Sequence, residues 1–206
     1  MKKKLTELFQ GITEGAAEIV SGIGTGMVST WRNMNLPNKL TLIRIALIPV
    51  FMIALYAEKG PAHYVSLVIF LLACLTDFLD GYIARKQNLI TDFGKFADPL
   101  ADKMLVTAGM LWFTGAGRLP AWVVLIVICR EFAVSGLRMT AAEKGRVIAA
   151  GWSGKVKTAA TMVCIALMLL PVVHGVDVFC AWVITLTTLY SGIEYFVKNG
   201  DVINSI

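Results

Sequence analysis

The chain has 206 residues, of which 57% are hydrophobic and 16% charged, and its mean hydropathy is +0.71. This composition is too apolar for a soluble domain and the length suits a single domain, so the sequence predicts a bundle of membrane helices. The net charge of +5 comes without a basic stretch interleaved with aromatics, which favours anionic lipid headgroups over nucleic acid as its partner. Four cysteines lie in apolar runs without paired spacing, which argues against a zinc site or a disulfide framework.

Residues 1–33 differ from the rest of the chain. After an initial lysine run, apolar residues recur at helical spacing from Leu5 to Ile23, and glutamates occupy other positions on the helical wheel. The pattern predicts an amphipathic helix on the cytoplasmic membrane surface, with a poorly ordered tail as the alternative. The segment lacks the continuous apolar stretch of a signal peptide, so we do not expect it to be cleaved.

Six apolar segments follow, each long enough to cross a bilayer, which requires roughly 20 residues. They comprise residues 39–57, 63–84, 95–114, 119–140, 155–173 and 178–197. Short connections that contain Gly, Pro or charged residues separate them, as a compact bundle requires. The predicted fold is an all-α integral membrane domain of six transmembrane helices over residues 34–206.

The distribution of positive charge predicts the orientation of the bundle. If the first, third and fifth connections face one side of the membrane, that side holds only Lys59 and Arg118 of the 19 Lys and Arg residues. Because cytoplasmic loops carry the excess of Lys and Arg, both termini and the 86–94 connection are expected in the cytoplasm.

Four aspartates lie close together on two neighbouring segments: Asp77 and Asp80 near the end of the second, Asp98 and Asp102 near the start of the third. Spacings of three and four residues put each pair on one helix face. Since the connection is short, we expect the two helices to be antiparallel neighbours and the carboxylates to converge near the cytoplasmic surface. Such clustered negative charge calls for a hard cation such as Mg²⁺, Mn²⁺ or Ca²⁺. The alternative is that these carboxylates only cap helix ends.

Small and basic residues beside the aspartates extend the candidate site. Gly81 and Ala84 leave a smooth strip where a flat ligand could approach the helix, although small residues also serve close helix packing. Arg85 lies one turn beyond Gly81 and could bind a phosphate, or could anchor the helix end at the membrane interface. Asn38 and Thr41, with Arg44, could add polar contacts at the start of the first segment, although Asn38 could equally be a helix N-cap.

These residues form one pattern: Asp77-x-x-Asp80-Gly81-x-x-Ala84-Arg85, then eight residues, then Gly94-x-x-x-Asp98-x-x-x-Asp102. At every position the pattern resembles the signature of the CDP-alcohol phosphotransferase family. The resemblance implies a six-helix membrane fold, usually dimeric, whose aspartates hold two metal ions, Mg²⁺ or Mn²⁺, that bind the pyrophosphate of a CDP-activated lipid. It also implies that Asp102 is the general base and that Gly81, Ala84, Arg85 and Gly94, with Asn38 and Thr41, belong to the nucleotide site.

Residues 35–44, 98–103, 130–138 and 154–158 resemble a bacterial branch of this family that accepts glycerol 3-phosphate. The resemblance implies transfer of the phosphatidyl group from CDP-diacylglycerol to glycerol 3-phosphate, giving phosphatidylglycerophosphate and CMP, by a homodimer in the cytoplasmic membrane of a bacterium. Branch members usually begin near Met34, so residues 1–33 depart from their pattern. The nearest alternative is a family member that uses serine, inositol phosphate or phosphatidylglycerol as acceptor.

An acceptor that carries its own phosphate needs cations beside the metal site. The candidates are Arg130, Arg138, Lys155 and Lys157, on the fourth and fifth segments. Arg130 could instead form a structural ion pair with the adjacent Glu131, because buried charges are normally paired. The others could be ordinary positive-inside anchors.

A divalent cation transporter is the alternative from another functional class, since it too requires carboxylates within membrane helices. A permeation path needs them at successive depths on several helices, whereas the last three segments contribute only Glu131 and Glu194. The sequence therefore favours an enzyme.

Overall fold

The computed structural model describes residues 34–60, 62–87, 92–143, 145, 148, 151–171 and 173–200, without the side chains at 37, 80, 82, 84–87, 92–99, 102 and 143. The amphipathic helix predicted for residues 1–33 lies outside the described residues. The regular secondary structure of the described part is helical throughout.

Six helices form the described part of the chain. They are α1 (Leu36–Ala57), α2 (Tyr64–Gln87), α3 (Asp92–Gly115), α4 (Ala121–Glu143), α5 (Trp152–Leu169) and α6 (His174–Lys198). The boundaries predicted from the apolar segments differ from these by about one helical turn at most.

The largest difference lies at the connection between α5 and α6. The prediction continued the fifth segment to residue 173, but α5 ends at Leu169, and Leu170 adopts an extended conformation with φ −70° and ψ 176°. Leu170 precedes Pro171, whose ring disfavours the α conformation in the residue before it. The chain then enters α6 earlier than predicted, so Asp177 lies in the first turn of that helix.

Packing of the first three helices is organised by Phe51 of α1, which is fully buried. Its ring lies 5.7 Å from that of Phe70 on α2, and a Cβ added at Gly109 of α3 would be 3.6 Å from the same ring. α1 therefore packs along both α2 and α3, which contact each other directly over only a small part of their described lengths. The predicted neighbours α2 and α3 thus do contact each other, and over their described lengths both pack more extensively against α1.

Large apolar side chains cover the outside of the bundle as well as its core. Phe132 is 73% exposed and Phe179 62% exposed, and many aliphatic side chains are similarly exposed. Asn38–Ala57 and His174–Lys198 are long and apolar enough to cross a membrane. A surface of this kind is stable in lipid and not in water, so the chain is a membrane protein.

A buried ion pair fixes the connection between α3 and α4 to the start of α6. Arg118 donates from Nε to Oδ2 of Asp177 at 2.9 Å and from Nη2 to Oδ1 at 2.8 Å. The two side chains are 11% and 4% exposed, and the guanidinium also lies 5.0 Å from the centre of the Phe113 ring. This bidentate geometry pairs the two charges where they are shielded from water, although Nη1 of Arg118 has no hydrogen-bond partner among the described residues.

Glu58, in the connection between α1 and α2, caps the start of α2. Its carboxylate accepts hydrogen bonds from the backbone N–H groups of Val65 and Ser66, each at 2.9 Å, and from the Ser66 hydroxyl. Burial opposes ionisation of Glu58, but these hydrogen bonds outweigh it and hold the pKa of the carboxyl below its ordinary value. The negative charge also faces the positive end of the α2 dipole.

We expect Asp177→Asn to destabilise the bundle by about 3–5 kcal/mol, because it leaves the buried Arg118 without a counter-charge. The measurement is thermal unfolding of the purified protein in detergent. Glu194→Gln is the matched control on the same helix, since it removes an ion pair to Lys198, a side chain that is 70% exposed. Equal losses for the two variants would contradict a structural role for the Arg118–Asp177 pair.

We expect Glu58→Gln to lower the unfolding temperature at neutral pH and the difference from wild type to shrink in acid. A carboxyl whose pKa is depressed by folding contributes stability above its unfolded pKa, near 4.5, and loses it as the pH falls through the folded value. The measurement is thermal unfolding as a function of pH. A difference that stays constant down to acid pH would refute this assignment.

Candidate active site

A cavity of about 780 Å³ opens among α2, α3, α4, α5 and α6. Its lining includes one predicted metal ligand and all four predicted acceptor-phosphate cations. These residues are Asp77, Arg130, Arg138, Lys155 and Lys157. Side chains that lie up to 80 positions apart in the chain therefore share one space.

Asp77 is held at the cavity by a buried arginine of α1. Nη1 of Arg44 lies 2.6 Å from Oδ1 of Asp77, and the two side chains are 1% and 37% exposed. Asn38 and Thr41 are buried at the same end of α1, at spacings of three residues that place them on the face of Arg44. Asp77 is thus paired with a buried arginine, and its own carboxylate still reaches the cavity.

The remaining predicted residues of the metal and nucleotide site divide into two groups. Gly81 is described and half-buried, and neither it nor Asn38 nor Thr41 is among the described residues that line the cavity. The other residues have side chains outside the described part of the chain: Asp80, Ala84, Arg85, Gly94, Asp98 and Asp102. Within the described residues, no group of three or more His, Cys, Asp and Glu side chains comes together.

Glu131 is the centre of the charge cluster in the cavity. Oε1 accepts from Nζ of Lys157 at 2.6 Å and from Nη1 of Arg130 at 3.0 Å, and Oε2 lies 3.4 Å from Nζ of Lys103. Lys103 also donates to the hydroxyl of Ser135 at 2.8 Å. The alternative that Arg130 pairs with Glu131 is thus observed, but the pair belongs to a larger cluster contributed by three helices.

Arg130 and Arg138 are also tied to α6. Nη2 of Arg130 donates to the hydroxyl of Ser191 at 2.6 Å, and Nε of Arg138 donates to the hydroxyl of Tyr195 at 3.0 Å. The Arg138 guanidinium lies 5.4 Å from the centre of the Tyr195 ring, within the range of a cation–π contact. Each arginine of the cavity therefore has its orientation set by a residue far away in the sequence.

The described lining of the cavity has an excess of positive charge. Five cations, with Lys103 added to the four predicted ones, face the carboxylates of Asp77 and Glu131. Lys155 is exposed and has no ion-pair partner among the described side chains. Such a surface attracts a ligand with several negative charges, such as a phosphate.

Sequence reasoning missed Lys103, Ser135, Ser191 and Tyr195. Lys103 carried a usable signal, because a cation inside an apolar helix is a functional candidate for the same reason as an aspartate. Ser135, Ser191 and Tyr195 carried no such signal in the sequence, since hydroxyl side chains are common in helices. Their part in the cluster depends on which helices are neighbours.

The family model for CDP-alcohol phosphatidyltransferase matches residues 34–189 of this chain. A Bacillus subtilis (strain 168) protein, CDP-diacylglycerol--glycerol-3-phosphate 3-phosphatidyltransferase, is 44% identical over 83% of this chain and 98% of its own length. A protein of the same name from Salmonella typhimurium (strain LT2) is 38% identical over 82% of this chain and 98% of its own length. A probable phosphatidylglycerophosphate synthase of Mycobacterium tuberculosis (strain H37Rv) is 38% identical over 81% of this chain and 82% of its own length.

These matches span the aspartate pattern, the charge cluster and most of the six helices, and they confirm the resemblance predicted from the sequence. The chain belongs to the CDP-alcohol phosphatidyltransferase family.

Proposed function

We propose that the chain is an integral membrane enzyme that transfers the phosphatidyl group of CDP-diacylglycerol to glycerol 3-phosphate, releasing CMP. The observation that carries this proposal is the cavity in which Asp77 faces five cations, Lys103, Arg130, Arg138, Lys155 and Lys157. An acceptor with its own phosphate requires such a cationic surface, whereas serine does not. The names of the relatives in three bacteria support the same acceptor.

The donor atoms of the aspartate pattern fit a divalent metal centre. Asp77 presents a partly exposed carboxylate to the cavity, and Asp80 follows one helical turn later. With Asp98 and Asp102 of α3, they form a set of carboxylate oxygens, which suits Mg²⁺ or Mn²⁺ and would hold two such ions. When bound, the ions would neutralise the pyrophosphate of the donor and stabilise the charge of the leaving CMP.

The protein's own residues divide between the two substrates. Gly81, Ala84, Arg85 and Gly94, with Asn38 and Thr41 at the start of α1, serve the CDP group. The four predicted cations bind the acceptor phosphate, and the fixed orientations of Arg130, Arg138 and Lys157 place the acceptor for attack. Lys103 is their neighbour in the cavity and directly follows Asp102 in α3.

The reaction needs one proton acceptor. A hydroxyl of glycerol 3-phosphate attacks the phosphorus that carries the diacylglycerol, the bond from that phosphorus to the CMP oxygen breaks, and Asp102 accepts the hydroxyl proton. An apolar bundle around the site limits access of water, which would otherwise hydrolyse the activated lipid.

All six helices cross the membrane in this proposal, with the cavity at the cytoplasmic side of a bacterial inner membrane. The hydropathy of α2 to α5 is reduced by charged residues that line the cavity, such as Asp77, Lys103, Arg130 and Lys157. Arg118 and Lys59 would then face the opposite side, in agreement with the positive-inside rule. The enzyme acts as a homodimer, and residues 1–33 lie on the cytoplasmic surface.

The direct test is CMP release by the purified protein with CDP-diacylglycerol and Mg²⁺ or Mn²⁺, offered each acceptor in turn. We expect release with glycerol 3-phosphate and little with serine, inositol phosphate or phosphatidylglycerol. Chelation of the metal should abolish release, and its return should restore it. Release with serine but not with glycerol 3-phosphate would overturn the proposed acceptor.

We expect Asp102→Asn to lower kcat by about 10²–10⁴-fold, because the variant keeps the shape of the side chain but cannot accept the proton. The thermal unfolding temperature should stay close to that of wild type. Glu194→Gln serves as the control, since it removes a carboxylate of α6 that does not line the described part of the cavity. Near-normal turnover of Asp102→Asn would exclude this residue as the base.

A further inference from the structure

Arg130 passes between two glycines on its way into the cavity. A Cβ added at Gly192 of α6 would lie 3.3 Å from Cγ of Arg130, and one added at Gly154 of α5 would lie 3.4 Å from its Nη2. Glycine inside a helix is less stabilising than alanine. Both α5 and α6 therefore have a glycine where Arg130 lies against them. The missing side chains leave space that the arginine occupies.

The guanidinium of Arg130 is fixed at two of its three nitrogens. Nη2 donates to Ser191, which is fully buried, and Nη1 pairs with Glu131. Nε is buried and has no hydrogen-bond partner among the described residues. The plane of the guanidinium is therefore set, and one donor is left unsatisfied within the protein.

A purely structural role, in which Arg130 only joins α4 to α6, would not explain the fixed guanidinium and the two glycines beside it. Apolar side chains join helices at lower cost than a buried charge. Arg130 also lines the cavity, whereas Ser191 and Gly192 are not among the described residues that do so. The arrangement suits an arginine whose orientation matters to a ligand.

We propose that Ser191 and Gly192 are positioning residues that hold Arg130 in the orientation that binds the phosphate of the acceptor. Ser191 supplies the hydrogen bond and Gly192 supplies the space, so consecutive residues of α6 fix one side chain of α4. The inference rests on the proposed function, in which Arg130 is a ligand of that phosphate. It makes Ser191 and Gly192 determinants of acceptor affinity although neither is among the described residues that line the cavity.

The first experiment compares steady-state kinetics of Ser191→Ala with wild type. Loss of a hydrogen bond to a charged group should raise the KM for glycerol 3-phosphate about tenfold. The KM for CDP-diacylglycerol and the unfolding temperature should change little, which a general loss of structure would not allow. Thr185→Val is the control, because it removes a buried hydroxyl of α6 whose hydrogen bond within the described part of the chain goes to Ala181 of its own helix.

Gly192→Ala tests the space beside Arg130 in the same assay. The added methyl group should displace the arginine and raise the KM for glycerol 3-phosphate several-fold, on the order of the change expected for the serine variant. Gly136→Ala is the control, because a Cβ added there meets nothing within 4 Å. If Gly192→Ala and Gly136→Ala change the KM for glycerol 3-phosphate to the same extent, the close contact has no role in acceptor binding and the part assigned to Gly192 is wrong.

A double-mutant cycle then tests whether Ser191 acts through Arg130. In an Arg130→Lys background, Ser191→Ala should raise the KM for glycerol 3-phosphate less than twofold further, since the guanidinium it orients is gone. If turnover is too slow to measure, calorimetric titration with glycerol 3-phosphate replaces the KM. An undiminished tenfold effect in that background would overturn the positioning role.

The cycle also separates this inference from the function on which it rests. If Arg130→Lys weakens acceptor binding but Ser191→Ala and Gly192→Ala do not, the positioning role fails and the proposed acceptor site stands. If Arg130→Lys leaves acceptor binding unchanged, the assignment of Arg130 as a phosphate ligand fails, and the positioning role fails with it.

Discussion

The shared carboxylate of Glu131 is the interaction on which the interior of this bundle depends. Charged side chains inside an apolar bundle are stable only with partners, and Glu131 supplies one to Lys103, Arg130 and Lys157 at once. Because these cations come from α3, α4 and α5, the same contacts that neutralise them also hold three helices around one cavity. The contacts that arrange these cations at the cavity are therefore also contacts that join the helices.

The two ends of the bundle use ion pairs differently. Arg118 and Asp177 form a closed bidentate pair, in which one cation meets one carboxylate with both oxygens engaged. In the cavity, Lys103, Arg130 and Lys157 share the single carboxylate of Glu131, so positive charge is left over. The closed pair serves stability, whereas the unbalanced cluster costs stability and retains affinity for an anion.

Sequence alone predicted the helices and the charged candidates, but not their neighbours. Apolar runs of membrane length located six helices. The end of α5 was predicted at residue 173 instead of Leu169, because the apolar run continues across Leu170, the extended residue before Pro171. The extent of packing was less predictable: a short connection predicted α2 and α3 as neighbours, and they do contact each other, but the small size of Gly109 beside Phe51 lets α1 pack more extensively against both. Ser191 and Tyr195 escaped notice for the same reason, since only the packing of α6 against α4 gives them their arginines.

The balance of charge in the cavity follows from what a transferase must do. Arg130 and Lys157 are largely buried, and without a carboxylate beside them they would be costly to bury and would hold a phosphate too firmly for product to leave. Glu131 lowers the positive potential of the cavity and keeps Lys103, Arg130 and Lys157 in place, yet it can share them with a ligand because it engages each through one or two contacts. In the proposed function, an acceptor phosphate would meet cations that Glu131 already orders, so the cost of ordering these side chains would fall on folding and not on binding.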